Sequence, residues 1–568
     1  MCIKNDRCNF LEYDTNNCSL YDTMVSNSKT LNGKFWINLE NFAIDCDGQI
    51  INKYSKIINK IVQERIYLNS SKICFIDSFI LNRFTTVKEL FMYANYLTLI
   101  PANTYHDMHS LIYLNFNNNK IKKIEKNAFI GLYLLRNLEL QVNLITDLST
   151  NMLNGLYNLD SLNLDSNIVS SINEDFFKDI PNLRNLYLNK NNISSLNDKT
   201  FRFLPKLNSL NLKVNKLTTI NGETFYGLDS IKIIYLDENQ IELIDSFAFN
   251  FLKTLEILSL SSNKLCNFDK LTFNNLTLLN TLDLSQNSID YLDADLFDDL
   301  ISLKELLLKS NKIKTIEFGL FKKLSKLVNL NLETNQLSFI NETCFSGLSN
   351  LYKLYINGNQ FGDLNENMFV GLQNLSNLYM ENMNFSFFYK NIFNNINNLK
   401  YLSLRSNGLQ ILESDIFMKI TKLITLNLGF NSLKAFDFNY LTKLKELHLD
   451  SNLLSNFTTN LTTIEYLSLN RNPLKYLNYS FFELDGMIPC LRHLEIKHCE
   501  IEVISQDAFE TYKKLEILKI FGNPLKFIDD NIFNGLNVLR EVRINSNVEN
   551  LTNIRETNDL IKFYFNDS

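Results

Sequence analysis

Apolar residues recur along this chain with a fixed step. From Leu159 the order is Leu159, Leu162, Leu164, Asn167, Ile172, Phe177 and Ile180; twenty-four residues later it is Leu183, Leu186, Leu188, Asn191, Leu196, Phe201 and Leu204. The register runs without slippage from Gln63 to Leu423 over sixteen starts. It resumes at Leu444, Ile464, Leu491, Leu515 and Leu539, after steps of 21, 20, 27, 24 and 24 residues. Asn occupies the ninth position in 18 of these 21 units, and Ser71, Met383 and Cys499 are the exceptions. Within each unit the L-x-L segment alternates with period two, which predicts a short strand with its leucines on one face. Neighbouring units place such strands side by side, about 4.8 Å apart, in a parallel sheet. No single unit can bury its apolar side alone, so the leucines predict one continuous core shared between units. The ninth-position Asn falls where the chain leaves the strand, where its amide can satisfy backbone groups of neighbouring turns. The nineteenth-position aromatics, Phe129, Phe177, Phe201, Phe225 and onward to Phe417, predict a second apolar spine. Met383 removes one rung of the Asn ladder, with local repacking rather than a hinge expected there.

The unit L-x-x-L-x-L-x-x-N-x-L-x-x-L-x-x-x-x-F-x-x-L-x-x resembles the leucine-rich repeat in its 24-residue extracellular form, over about nine-tenths of the chain. The resemblance implies an α/β fold class: a curved horseshoe solenoid with a parallel sheet on its concave face and loops and short helical turns on its convex face. It assigns residues 63–568 to a solenoid of about 21 repeats and 41–62 to an N-terminal repeat cap. Ile44-Asp45-Cys46-Asp47-Gly48 looks like the second half of such a cap. The family's cap carries several cysteines just upstream, and none lies between Cys18 and Cys46 here, so a Cys46–Cys74 disulfide is a possible replacement. Residues 1–40, with Cys2, Cys8, Phe10, Tyr13, Cys18 and Tyr21, resemble the latter half of a PAN/apple module, a disulfide-stapled extracellular binding domain.

Composition narrows the function classes. With 56 Lys+Arg against 62 Asp+Glu the net charge is −6, which gives no reason to expect nucleic acid. No run of 18 apolar residues occurs, so no membrane-spanning segment is expected. There is no G-x-G-x-x-G, P-loop, H-E-x-x-H or C-x-x-C. His448, Asp450 and Ser451 share one strand and cannot converge as a triad. His493 and Glu495 share a face but have no third firm ligand, so neither a metal nor a cofactor is expected. The resulting expectation is a non-enzymatic recognition protein, extracellular or at the cell surface, similar to chaoptin, Slit, the acid-labile subunit and Toll-receptor ectodomains. A Toll-type ectodomain fragment and an intracellular repeat scaffold are the alternatives, and a homodimer stays open. The polar start and the absence of a C-terminal cysteine cap lead to the expectation of a chain truncated at both ends. Nine cysteines is an odd number, and twelve N-x-Ser/Thr sequons fit a glycosylated surface, although an Asn-rich chain yields about that many by chance.

Outward-facing strand positions form the candidate ligand-binding surface. Tyr352, Lys353, Tyr355, Tyr379, Glu381, Tyr401 and Arg405 cluster there, with Tyr187 and Tyr235 continuing the column at lower density. Tyrosine offers rigid contact area and a hydroxyl, suited to a protein ligand, although aromatics also simply favour strands. Nearer the C-terminus Arg471, Arg492, His493, Lys497, His498, Lys519, Arg540 and Arg543 alternate with Glu465, Glu495, Glu516 and Glu541, a pattern read as a solvated charged face. The long unit containing Glu483 to Pro489 reads as a length variant that emerges as a loop.

Overall fold

The structure is a computed structural model. It describes residues 30–31, 34–35, 61–62 and 64–565, apart from 76–80, 82–83, 363, 414, 436–439, 458–460, 478–487, 530, 550, 552–553 and 555–560. The chain divides into two compact units, Met1–Asn263 and Lys264–Ser568. Most of residues 1–62 lies outside the description. The loop at Glu483 to Met487 does too.

Each unit is a parallel β-solenoid of stacked coils. In the first, nine three-residue strands pair in chain order from Arg65–Tyr67 and Glu89–Phe91 through Asn185–Tyr187 to Ile257–Ser259. In the second, the sequence runs from Thr281–Asp283 through Lys353–Tyr355, Asn377–Tyr379 and Tyr401–Ser403 to Glu541–Ile544 and Lys562–Phe565. Every pairing sets equivalent positions opposite one another, as in Tyr355↔Tyr379. Because side chains alternate, the central Leu of each strand points inward: Leu162, Leu186, Leu210, Leu354, Leu378 and Leu402 are fully buried. The residues on either side look outward, and they form the face on which recognition was expected. Short parallel strands such as Leu99–Ile100 with Lys123–Ile124, and Tyr476–Leu477 with Val503–Ile504, close a second edge of the coils.

The Asn ladder takes a regular form. Asn119 Nδ2 donates to Phe116 O in its own coil and to Met92 O in the preceding one, both at 3.0 Å, while its Oδ1 accepts Leu97 N–H at 3.1 Å. One side chain thus satisfies three backbone groups that burial would otherwise leave orphaned. The three exceptions are repaired in one way. The next Asn of the ladder takes the backbone N–H of the substituted position itself: Ser71 N–H reaches Asn95 Oδ1, Met383 N–H reaches Asn407 Oδ1, and Cys499 N–H reaches Asn523 Oδ1. Cys499 also points its thiol at Leu469 O, 3.2 Å away, the carbonyl that an Asn amide would have reached. The strand register continues through Met383, as the expectation of local repacking requires.

Opposite the sheet, the aromatic spine stacks coil by coil, with Phe201–Phe225 at 6.2 Å and Phe321–Phe345 at 6.3 Å. The segments that carry it are successive turns closed by hydrogen bonds three residues apart, such as Leu132 N–H to Phe129 O and Leu135 N–H to Leu132 O. These runs are too short to propagate as α-helix, so the described chain holds nearly no helix and the α contribution implied by the resemblance reduces to turns. Among the described residues no helix is long and apolar enough to cross a membrane.

Candidate functional site

The expected tyrosine cluster assembles on the outward face of the second unit. Tyr355 and Tyr379 occupy the same column of adjacent strands, and their rings stack at 4.3 Å with an 8° interplanar angle. Tyr401 sits one pleat away on the next strand and packs against Tyr379 at 4.8 Å, tilted by 37°. Three rings therefore form one platform, held by backbone that the buried leucines and the Asn ladder fix in place. Burial, followed by the neighbouring Tyr379 and Tyr401 phenols and Glu305, pushes the Tyr355 hydroxyl up to about 12. Burial and Tyr379 raise Tyr401 as well. The Tyr355 and Tyr401 hydroxyls thus stay neutral and hydrogen-bonding at ordinary pH.

The other residues expected here divide. Glu381 is anchored: Ser403 Oγ donates to its Oε1 at 2.6 Å, and its backbone N–H donates to Asn357 Oδ1 at 2.8 Å. Arg405 lies 3.9 Å over the Phe430 ring, so its guanidinium is held by a residue the sequence reading did not single out. Lys353 is half-buried on the Tyr355 strand, in no ion pair among the described residues. Tyr352 stands exposed just before that strand and makes no ring contact among the described residues. Tyr187 and Tyr235, in the first unit, make no ring-to-ring contact among the described residues. Tyr235 lies under Lys213 Nζ, 4.4 Å from its ring.

The charged stretch further along the same face is solvated at Glu465, Arg471, Arg492, His498 and Arg540, but not around Glu495. Glu495 is nearly buried, with Lys497 Nζ at 2.7 Å, Lys519 Nζ at 2.8 Å and Asn470 Nδ2 at 3.1 Å. His493 Nε2 approaches Glu495 to 3.1 Å but is poorly directed for a hydrogen bond. Burial alone raises the Glu495 carboxyl; contacts from His493, Lys497, Lys519 and Asn470 overcome it and hold the group well below the usual carboxylate range. Tyr466, packed between His448 and His493 at 4.9 and 4.7 Å, is raised by burial and then by Glu495 and Asp450. Burial lowers His448 despite nearby Asp450, Glu446 and Glu495. Asp450 accepts from Ser468 Oγ and, at 2.7 Å, from Asn470 Nδ2. Arg492 and Arg540 are spent on Glu516, and Arg543 on Glu541. Among the described residues no group of three metal-ligating side chains forms, here or elsewhere.

An acid three outward positions into one coil, taken by a serine of the next, recurs as Asp237–Ser259, Glu381–Ser403 and Asp450–Ser468. Each serine lies two residues short of one coil length beyond its acid, a signal visible in the sequence. Cys266, Cys344, Cys490 and Cys499 are free. Burial pushes Cys344 up to about 12 and Cys499 up to about 11, so both are inert core thiols. Cys74 is not among the free thiols, and Cys46, its expected partner, lies outside the described residues.

Stacked parallel coils with an outward face of fixed side chains define a solenoid scaffold rather than a pocketed fold. The leucine rich repeat model matches residues 85–145, 133–193, 181–241, 230–289, 253–313, 278–337, 301–361, 325–385, 349–409, 397–454 and 489–548, about three-quarters of the chain. The chain belongs to the leucine-rich-repeat family, whose scaffolds are typical of protein-interaction domains and generally non-enzymatic. No family match supports an apple-like module in residues 1–40. No curated protein matches the sequence. Among solved structures, YopM from Yersinia enterocolitica is 18% identical, covering 93% of this chain and 99% of its own, with a TM-score of 0.59. The Drosophila Toll–Spatzle complex gives 17% identity, 83% and 76% coverage and a TM-score of 0.57. The TLR13–ssRNA13 complex gives 23%, 89% and 85%, and 0.49.

Proposed function

We propose that this chain is a non-enzymatic recognition scaffold that binds a protein ligand on its concave sheet face, at the Tyr355–Tyr379–Tyr401 platform. The observation that carries the reading is the 4.3 Å stack of Tyr355 on Tyr379. Both rings are fixed before a ligand arrives, so docking loses little conformational entropy. Tyr352 supplies a further exposed ring and Lys353 a cation not already spent on an acid, whereas the lysines around Glu495 are spent. A structure of similar fold is that of a Toll–Spatzle complex, which is compatible with a protein ligand. Extracellular or cell-surface placement rests on the 24-residue form of the repeat, the sequons and the proposed Cys46–Cys74 disulfide.

The intracellular alternative draws support from one observation, the exposed free thiol of Cys266. Titration of thiols under denaturing, non-reducing conditions separates the two. The extracellular reading expects fewer than nine free thiols, and nine would refute it. For the platform, a partner captured on the purified chain is titrated calorimetrically against wild type and a Tyr355→Ala/Tyr379→Ala variant. The variant is expected to bind at least about tenfold more weakly with its melting temperature nearly unchanged. Equal affinity would reject the platform.

A further inference from the structure

The residue just before each strand forms a column of its own, and in both units that column is charge-paired. Glu64 meets Lys88 at 2.6 Å, Asp160 meets Arg184 at 3.0 Å and Lys232 meets Glu256 at 2.8 Å. Further on, Lys445 meets Glu465 at 2.7 Å, and Glu516 takes both Arg492 and Arg540. Arg136 forms no ion pair among the described residues, yet Asp160 stands one coil on. Every cation in the column thus has an acid of the same column one coil away, except in the coils that carry the tyrosine platform. There the column reads Asn280, Lys304, Val328, Tyr352, Ser376, Lys400 and Ile424, with cations and no acid. Lys304 and Lys400 are exposed, Lys353 follows Tyr352, and none of the three forms an ion pair among the described residues. Lys326 and Lys422, each two residues ahead of the column, add exposed cations, and Lys422 Nζ donates to an uncharged partner, Asn398 Oδ1, at 2.6 Å. The nearby acids are engaged within the fold. Glu305 accepts from Asn329 Nδ2 at 2.7 Å, Glu333 meets Lys309 at 3.1 Å, Glu381 is held by Ser403, and Glu446 accepts from Thr425 Oγ1 at 3.1 Å.

We infer that this lysine row is the rim of the platform's docking surface, and that the ligand segment seated on Tyr355, Tyr379 and Tyr401 is acidic, its Asp or Glu carboxylates reaching Lys304, Lys353 and Lys400. The register brings the pieces together. Lys353 shares a strand with Tyr355, Lys400 directly precedes Tyr401, and Lys353, Asn377 and Tyr401 lie opposite one another on successive strands. Lys304 precedes Glu305, which lies within electrostatic reach of the Tyr355 phenol. Elsewhere in the column a neighbouring coil supplies the acid; here an acidic peptide supplies it, while its other side chains lie over the rings. A second copy of the chain pairing this face with itself would set lysine against lysine. A nucleic acid carries about one charge per 3.4 Å of strand, denser than one lysine per coil, and its phosphates would also meet Glu305, Glu333 and Glu381. The inference rests on the reading of the platform as a protein-docking site and adds the charge of what docks.

The test pans a random dodecapeptide library displayed on phage against the full chain, then titrates the leading peptides calorimetrically as synthetic probes. The selected pool is expected to hold Asp and Glu at about twice their input frequency or more. Lys304→Gln/Lys353→Gln/Lys400→Gln is expected to bind the leading peptide about tenfold more weakly and with a shallower salt dependence. Lys312→Gln/Lys314→Gln/Lys434→Gln, which removes the same charge from exposed positions beyond the strands, is expected to leave affinity unchanged. A pool without acid enrichment, equal losses in both triple variants, tighter binding of poly(U) RNA than of any selected peptide, or a library that yields no binder would each overturn the inference. Tyr355→Ala/Tyr379→Ala separates it from the reading beneath it. Acid-poor peptides that lose affinity in the tyrosine variant would keep the platform and sink the lysine rim. Acidic peptides that depend on the lysines but not on the tyrosines would reject the platform and keep the lysine row as an acidic-peptide site. Melting curves of every variant ensure that an unfolded protein is not scored as a loss.

Discussion

Two regions of the second unit share one sheet face and one strand geometry, yet they are built for opposite ends. Around Tyr355, Tyr379 and Tyr401, three rings stack on one another and no ion pair forms among Tyr352, Lys353, Tyr355, Tyr379 and Tyr401. Around Glu495, two lysines and an amide close on one carboxylate, and two histidines sandwich Tyr466. The first region keeps its bonding capacity, which we propose serves a ligand. The second has used it up. The difference teaches that charge on a solenoid face can be spent inside the fold, because neighbouring coils, one strand step away, have already supplied the partner.

The comparison breaks hardest at Glu495. Replacing it with Gln leaves Lys497 and Lys519 facing each other across a half-buried gap, and we expect a loss of about 3 kcal/mol in denaturant unfolding with no change in ligand binding. The same variant gives a pH signature. The folded carboxyl lies below its unfolded value, so its contribution is present above the ordinary carboxylate range and is lost as pH falls below it. The stability gap between wild type and Glu495→Gln should therefore be wide at neutral pH and narrow under acid. A gap that widens in acid would contradict the pairing.

Smaller effects sharpen the contrast within the platform. Ser403→Ala removes the hydroxyl that holds Glu381 and should cost about 1 kcal/mol while weakening ligand binding less than loss of a tyrosine does. Ser376, which precedes the Tyr379 strand, is buried with an unpartnered hydroxyl, so Ser376→Ala should stabilise slightly, by at most about 1 kcal/mol, and leave binding alone. A comparable gain is expected at Tyr105. It stands in the phenylalanine spine with its hydroxyl buried and unpartnered, so Tyr105→Phe should raise the melting temperature by a few degrees.

Most of the fold was legible because a period of 24 fixes strand, core and ladder together. Leu354 and Leu378 could only point inward if their strands paired in register, and the pairing of Tyr355 with Tyr379 followed from the same arithmetic. The loops and short helical turns implied for the convex side are there as turns closed by hydrogen bonds three residues apart. Two things were not legible. The Glu495 cluster read as solvated because its partners sit on separate strands, at Asn470 and Lys519, and the alternating signs within one stretch hid the pairing across coils. The ring under Arg405 was not legible because Phe430 occupies a position outside the strand where aromatics carry no pattern.

Hydroxyl-radical footprinting of the complex with a captured partner tests the division directly, because it reads each tyrosine side chain on its own. The account predicts that binding shields Tyr355, Tyr379 and Tyr401 from oxidation and leaves the reactivity of Tyr466 as it was. Shielding of Tyr466 with no change at the three stacked rings would contradict it.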